Sequence, residues 1–275
     1  MKLGCTSKSS HLFPTLQGLS EYLRSKDVDM PFDMVTLSKD SDILALKKLG
    51  YSYIRMDETE AEKIASKIKI LPENVRFSGI FDCLILENNQ LLPRLFYFDY
   101  LRKFFVQKFK NHKINEAAVL LTNDVELKGF VTFALSLGHK KIIIVNQEGS
   151  VKNDVELRSF NMGMELEVIK IEDVTQINIG TSLMINTYDL KKYPSLLTDL
   201  AYFNFMTKQG IVIELESRSP VNPLLFEAEK AGLRSMGRRE FISYYEFQNA
   251  LKLGFVSILE RDHFLSNYNE IMTID

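Results

Sequence analysis

The chain has 275 residues, 45% of them hydrophobic, with 34 Lys or Arg against 36 Asp or Glu and a formal charge of −2. That length supports a sizeable core and two domains, and the near balance of charge gives no electrostatic case for nucleic acid or a membrane surface. Cys5 and Cys83 make neither a disulfide framework nor a metal spacing, and His11, His112, His139 and His263 fall at no ligand spacing, so no metal is expected.

The opening MKLGCTSKSSHLF lacks the apolar core of a signal peptide, and no run reaches the roughly 18 apolar residues of a membrane span. A soluble cytoplasmic protein is the expectation. Met1–Cys5 reads as a strand ending in the polar knot Thr6–Ser10, followed by helical spacing over Phe13–Leu23 (Phe13, Leu16, Leu19, Leu23). Phe32–Leu37 reads as a strand, Ser41–Leu49 as a helix stopped by Gly50, and Tyr51–Arg55 as a further strand. Thr59, with Glu62 three residues on, suits a capping box for a helix running to Ile70. Phe81–Leu86 reads as a strand with a turn at Asn88–Asn89. Pro93 then opens an aromatic helix over Arg94–Lys110, whose Leu95, Phe98, Leu101 and Phe105 share a stripe. Such a helix packs between two domains, and the alternative, a basic binding face opposite the stripe, is the weaker reading because charges there are usually just solvated.

From Ala117 to Gln147 the pattern is strand, turn, helix, strand. The apolar run Ala117–Leu121 passes through Thr122–Val125 into helical spacing of Leu127, Phe130, Val131, Ala134 and Leu135. Gly138 closes that helix, and Ile142–Val145 is the next strand. This is the opening unit of a dinucleotide-binding sheet. Its turn, however, lacks the Gly-x-Gly-x-x-Gly that lets bare backbone N–H groups approach a pyrophosphate. Strands follow at Leu166–Ile171, Thr181–Asn186 and Gly210–Leu215; Asn222-Pro223 opens a helix over Leu224–Ala231, and Glu240–Leu265 is helical again. The alternation implies α/β layering with mostly parallel sheets.

The stretch IVIELESRSPVNPLLFEAEKAGLRSMGRREFISYYEFQNALKLGF resembles the end of a shikimate dehydrogenase, where a strand leads to a Thr-Pro-Leu-Leu-x-x-Ala-x-x-x-Gly helix, a glycine turn and a helix carrying a substrate-binding Gln. Further upstream, Thr6-Ser7-Lys8-Ser9-Ser10 is similar to the family's His-Ser-x-Ser-Pro, Tyr97-Phe98-Asp99-Tyr100 to its Asn-Thr-Asp-Gly, and Ile185-Asn186-Thr187-Tyr188 to its Val-Asn-(Ala/Thr)-Thr. The order holds over nearly the whole chain. The resemblance implies an N-terminal α/β substrate-binding domain over 1–98, rejoined by a C-terminal helix within 240–275, and a Rossmann-like parallel-sheet domain over 99–239. It also implies hydride transfer between a shikimate C–OH carbon and NADP, served by a Lys–Asp pair, by groups that hold the substrate, and by a phosphate cradle.

Carried over position by position, the family's site is partly kept. Ser7 and Ser9 stand at the carboxylate-binding serines and Asp99 at the catalytic Asp. Read from the residues alone, Ser7 and Ser9 are a strand-end turn or helix N-cap and Asp99 an ordinary helix carboxylate. Glu58 stands in place of the catalytic Lys, Ser52 in place of an Asn and Ile54 in place of a Thr; Lys63 lies at least one helical turn too far on. The next substrate Asn falls at Asp82 or Cys83, and the substrate-binding Gln at Tyr244, with Gln248 one turn away. On the cofactor side the loop glycines become Thr122, Asp124 and Val125, around Asn123. Each added Cβ obstructs the backbone approach, and the branched Thr122 and Val125 resist glycine-like dihedrals. Asp124 adds a like charge, worth several kcal/mol of repulsion at about 4 Å and an effective dielectric near 20. The family's 2′-phosphate Asn-Arg-Thr is Asn146-Gln147-Glu148, without its arginine, and Gly-Met near the nicotinamide becomes Arg239-Glu240.

Two readings follow. The first is a non-catalytic relative that has no cofactor and binds an unknown small molecule in its interdomain cleft, or a protein partner, or a second copy of itself. Glu58, Asp99 and Asp82 then make the cleft acidic, which favours a cationic or polyhydroxylated ligand, or a divalent cation, over anionic shikimate; the plainer alternative is that these carboxylates simply point to solvent. The alternative is an active NADP-dependent dehydrogenase of shikimate or a related hydroxy acid, with an altered loop and a substitute base.

Overall fold

Strands and helices alternate along the chain, and the strands collect into two sheets. The computed structural model describes residues 2–6, 13–28, 32–36, 43–65, 68, 71–112, 114, 117–122, 124–151, 155, 163–200, 203–216 and 222–271. Two units are present, Met1–Tyr100 with Ile242–Asp275, and Leu101–Phe241.

In the first unit the strands are β1 (Lys2–Cys5), β2 (Phe32–Met34), β3 (Tyr51–Arg55), β4 (Cys83–Glu87) and β5 (Gln90–Arg94), and the sheet order is β2-β1-β3-β4-β5. β1 pairs in parallel with β2 and β3, whereas β3–β4 and β4–β5 are antiparallel. The β4–β5 hairpin turns on Asn88 and Asn89, whose φ angles of 47° and 63° are those of the two-residue turn that matches strand twist, and Asn tolerates them better than most residues. Helices α1 (Phe13–Arg24), α2 (Ile43–Lys48), α3 (Glu58–Ala65) and α4 (Glu73–Ser78) connect these strands. Gly4 has no room for a side chain: a Cβ there would sit 2.8 Å from Val35 Cγ2 and 3.1 Å from the Tyr51 ring. Gly4→Ala is therefore expected to cost about 1–3 kcal/mol by overpacking, read as a lower urea midpoint; an unchanged midpoint would show that β2 gives way freely.

The second unit holds β6 (Ala117–Leu121), β7 (Lys141–Asn146), β8 (Glu165–Lys170), β9 (Thr181–Asn186), β10 (Met206–Glu214) and β11 (Arg234–Gly237). All pairings are parallel, in the order β11-β10-β9-β6-β7-β8. Counted from β6, that is the doubly wound order 3-2-1-4-5-6. Every residue of β6 and β9 is buried, which is why both read as continuous apolar or small-residue runs instead of alternating ones. Helices α5 (Phe96–Lys108), α6 (Asp124–Ser136), α7 (Pro194–Leu200), α8 (Pro223–Lys230), α9 (Arg238–Lys252) and α10 (Arg261–Ile271) complete the chain. α6 ends at Gly138 (φ 102°), where the His139 N–H reaches back to the Ala134 carbonyl at 3.1 Å. Asn222 caps α8 by accepting from Leu225 N at 3.1 Å, with Pro223 next to it. Among the described residues, no helix is long and apolar enough to cross a membrane.

The structure corrects three expectations. α3 begins at Glu58 and is capped by Asp57, whose Oδ1 accepts from Glu60 N at 2.9 Å, so Thr59 lies inside the helix; Ile68 is already out of it. Pro93 and Arg94 belong to β5, not to the aromatic helix, which starts at Phe96; Pro93 is tolerated because β5 is an edge strand. The helical stretch from Glu240 to Leu265 is two helices, broken at Gly254 (φ 78°).

Candidate functional site

In an open sheet of this order, the connection from β6 runs to β7 and that from β9 runs the other way, to β10. Ligands of such sheets bind outside the carboxyl ends of the strands at this switch point. Here the point is bridged from within. Thr122 follows β6 and Thr187 follows β9, and Thr187 Oγ1 donates to Thr122 Oγ1 at 3.0 Å. The Tyr188 hydroxyl donates to the Thr122 carbonyl at 3.3 Å. All three residues are buried, Thr122 at 1% exposure. Asn123 lies outside the described residues; Asp124 and Val125 begin α6, their side chains outside the description.

The neighbouring strand end is committed as well. Asn146 turns back on its own loop, accepting from Gly149 N and donating to the Ser150 carbonyl, both at 2.7 Å. Gln147 goes the other way: its Nε2 donates to the Tyr193 hydroxyl at 2.5 Å, and the Tyr193 ring meets that of Tyr188 edge-on at 5.5 Å. At the end of β10, buried Glu214 accepts from Glu216 N at 3.0 Å, from Asn186 Nδ2 at 3.4 Å and from Asn222 Nδ2.

In the first unit, buried Asp82 accepts from two backbone N–H groups at the start of α5, Phe96 N at 2.9 Å and Tyr97 N. Burial pushes its carboxyl up to about 7 against the pull of those two donors, and the nearby Asp99 charge adds to the rise. Asp99, half-buried on α5, accepts from Asn74 Nδ2 at 2.8 Å. Burial, with the charges of Cys83, Asp82 and Asp99, raises the Tyr100 phenol well above its ordinary range. The structure thus brings Asp82 and Asp99 into one electrostatic neighbourhood with Asn74. Ser52 is buried in β3, and Tyr244 is buried on α9, with the Arg261 guanidinium 5.9 Å from its ring centre. Ser7 and Ser9 lie outside the described residues, and Glu58 is placed by backbone alone, at the first position of α3.

No family model matches the chain, and no curated protein matches it in sequence. Solved structures do match it in shape. A quinate dehydrogenase from Corynebacterium glutamicum in complex with NAD is 12% identical with a TM-score of 0.73, over 100% of this chain and 99% of its own. A shikimate 5-dehydrogenase-like protein is 13% identical with a TM-score of 0.73, over 99% and 97%. The chain has a shikimate dehydrogenase-like fold. The ligand-free 5-ketofructose reductase of Gluconobacter shares that fold, at 12% identity and a TM-score of 0.70 over 97% of this chain and 98% of its own.

Within this shikimate dehydrogenase-like fold, two groups of residues escape sequence reasoning. One is a buried polar cluster in the first unit. Arg55, fully buried, pairs with fully buried Glu246, bonds Thr15 Oγ1, and donates from Nε to the Tyr53 hydroxyl at 3.2 Å. Its guanidinium lies 5.6 and 5.1 Å from the rings of Tyr53 and Tyr245, whose hydroxyls are 3.4 Å apart. The available signals were one charge in the strand YSYIR and one in the apolar stretch YYEF. The other group is Tyr188 and Tyr193. Nothing in their local sequence marks them as spanning three strand ends.

Proposed function

We propose that this chain is a shikimate dehydrogenase-like protein that neither holds NADP nor transfers a hydride, and that its acidic residues serve a different small molecule or a protein partner. The observation that carries this reading is the bridge of Thr122, Thr187 and Tyr188 at the switch point. A pyrophosphate needs bare backbone N–H groups there, and the residues present offer it β-branched and phenolic side chains already bonded to one another. The residue just past β7 that the resemblance sets at the 2′-phosphate arginine is Gln147, and it is held by Tyr193. The nicotinamide dinucleotide therefore does not suit the site.

Asp99, held by Asn74, supports the second reading, a working dehydrogenase, because an oriented carboxylate is what proton transfer requires. Assays with NADP and either shikimate or quinate separate the two. The expected result is no change in nicotinamide absorbance above background for the natural chain or for Glu58→Lys, since restoring one base leaves the bridge in place. Turnover that saturates with substrate in either protein would support the second reading.

A further inference from the structure

The residues after β9 do more than follow that strand. Tyr188 packs in the hydrophobic cluster with Leu121, Val145 and Leu196. The segment then supports itself through two turns, Lys192 N to the Asp189 carbonyl at 2.9 Å and Tyr193 N to the Leu190 carbonyl at 3.2 Å, before Pro194 opens α7. From there Tyr193 meets Gln147 beyond β7. The path Thr187–Tyr193 thus starts at the end of β9, touches the end of β6 through the two Tyr188 and Thr187 bonds to Thr122, and closes at the end of β7.

We infer that residues 187–193 form an internal strap that occupies the nucleoside end of the crevice with the chain's own phenol rings, so that the fold excludes a planar purine ring by occupation as well as by its altered phosphate turn. In a doubly wound sheet, the nucleoside half of a dinucleotide lies over the ends of the first and second strands, and a side chain just past the second reads the ribose hydroxyls. That reader position here is Gln147, and its amide is spent on Tyr193. The two rings, 5.5 Å apart and edge to face, provide the apolar surface that a base would otherwise cover.

The inference rests on the reading that no NADP is held, and adenosine tests it separately. Adenosine carries no phosphate, so neither Asp124 nor the missing glycines bear on its binding. The variant is Tyr193→Ala/Gln147→Ala; Gln147 is exposed and Tyr193 half-buried at the margin of the hydrophobic cluster, so the buried residues of that cluster are left in place. Tyr193→Ala alone repeats the test with one fewer change, and an unfolding curve for each confirms folded protein. Titration calorimetry with adenosine should find no saturable binding to the natural chain at millimolar concentration, and at least a tenfold gain in affinity in the strap variants. Folded variants that bind adenosine no better than the natural chain would overturn the strap while leaving the reading on NADP intact. Adenosine binding to the natural chain would also overturn it. NADP binding to the natural chain would overturn both the strap and the function proposed above.

Discussion

Arg55→Met is expected to destabilise the chain by about 3–5 kcal/mol, the range for removing one partner of a buried ion pair. The guanidinium and the Glu246 carboxylate are both fully shielded from solvent. Removing the cation leaves a carboxylate in the core with its main partner gone, and also strips donors from the Tyr53 hydroxyl and Thr15. Burial already raises the Glu246 carboxyl, with Arg55 opposing the rise, so in the variant it should take up a proton. That uptake limits the loss without abolishing it. The double variant Arg55→Met/Glu246→Leu should recover most of the stability, because two apolar groups of similar volume carry no desolvation penalty. Urea unfolding of the two single variants and the double variant measures the coupling. A single variant within about 1 kcal/mol of the natural chain would show that the pair is not what fastens β3 to α9.

Asp82→Asn is expected to change how stability depends on pH. The Asp82 carboxyl is pushed up to about 7 in the folded chain and has an ordinary value near 4 when unfolded. Between those values the folded state holds a proton that the unfolded state releases. Its contribution to stability is therefore fully present below about pH 4 and lost as pH rises through about 7, a change of about 4 kcal/mol. Asn carries no charge at any pH, but its single oxygen can accept from only one of the Phe96 and Tyr97 N–H groups, which Asp82 meets with separate oxygens, so the variant should start below the natural chain at low pH and gain on it as pH rises. His112 acts in the opposite sense. Burial, His139 and Arg234 push it down to about 4, so acidification from its unfolded value costs stability. In the natural chain the two slopes oppose each other, and in Asp82→Asn the loss on acidification should stand exposed. A stability difference between the two proteins that does not vary with pH would refute the assignment.

How much of this was legible depended on whether a residue's role is local. The unit from Ala117 to Asn146 was readable because two strands buried on both faces must be apolar throughout, and Gly138 marks the helix end with a φ that few other residues adopt. Pro93 reads as a helix start because proline favours one by local rules, while its place in β5 depends on pairing with β4 across the hairpin. Asp57 and Thr59 are both acceptable caps, and the choice between them is made where the chain leaves β3. The apolar runs place Thr122 and Asn146 at the ends of β6 and β7, where the structure has them. What bridges the strand ends there is Tyr188 and Tyr193, and their partners follow other strands, 66 residues back for Thr122 and 46 for Gln147. The same holds for Arg55 and Glu246, 191 residues apart. Long-range polar pairs of this kind leave no periodicity to read.

Whether the switch point admits a dinucleotide decides the proposed function. Titration calorimetry of the natural chain with NADP and NADPH at millimolar concentration addresses this most directly. No saturable heat is expected with either form. A binding isotherm that saturates at one nucleotide per chain would contradict the proposed function.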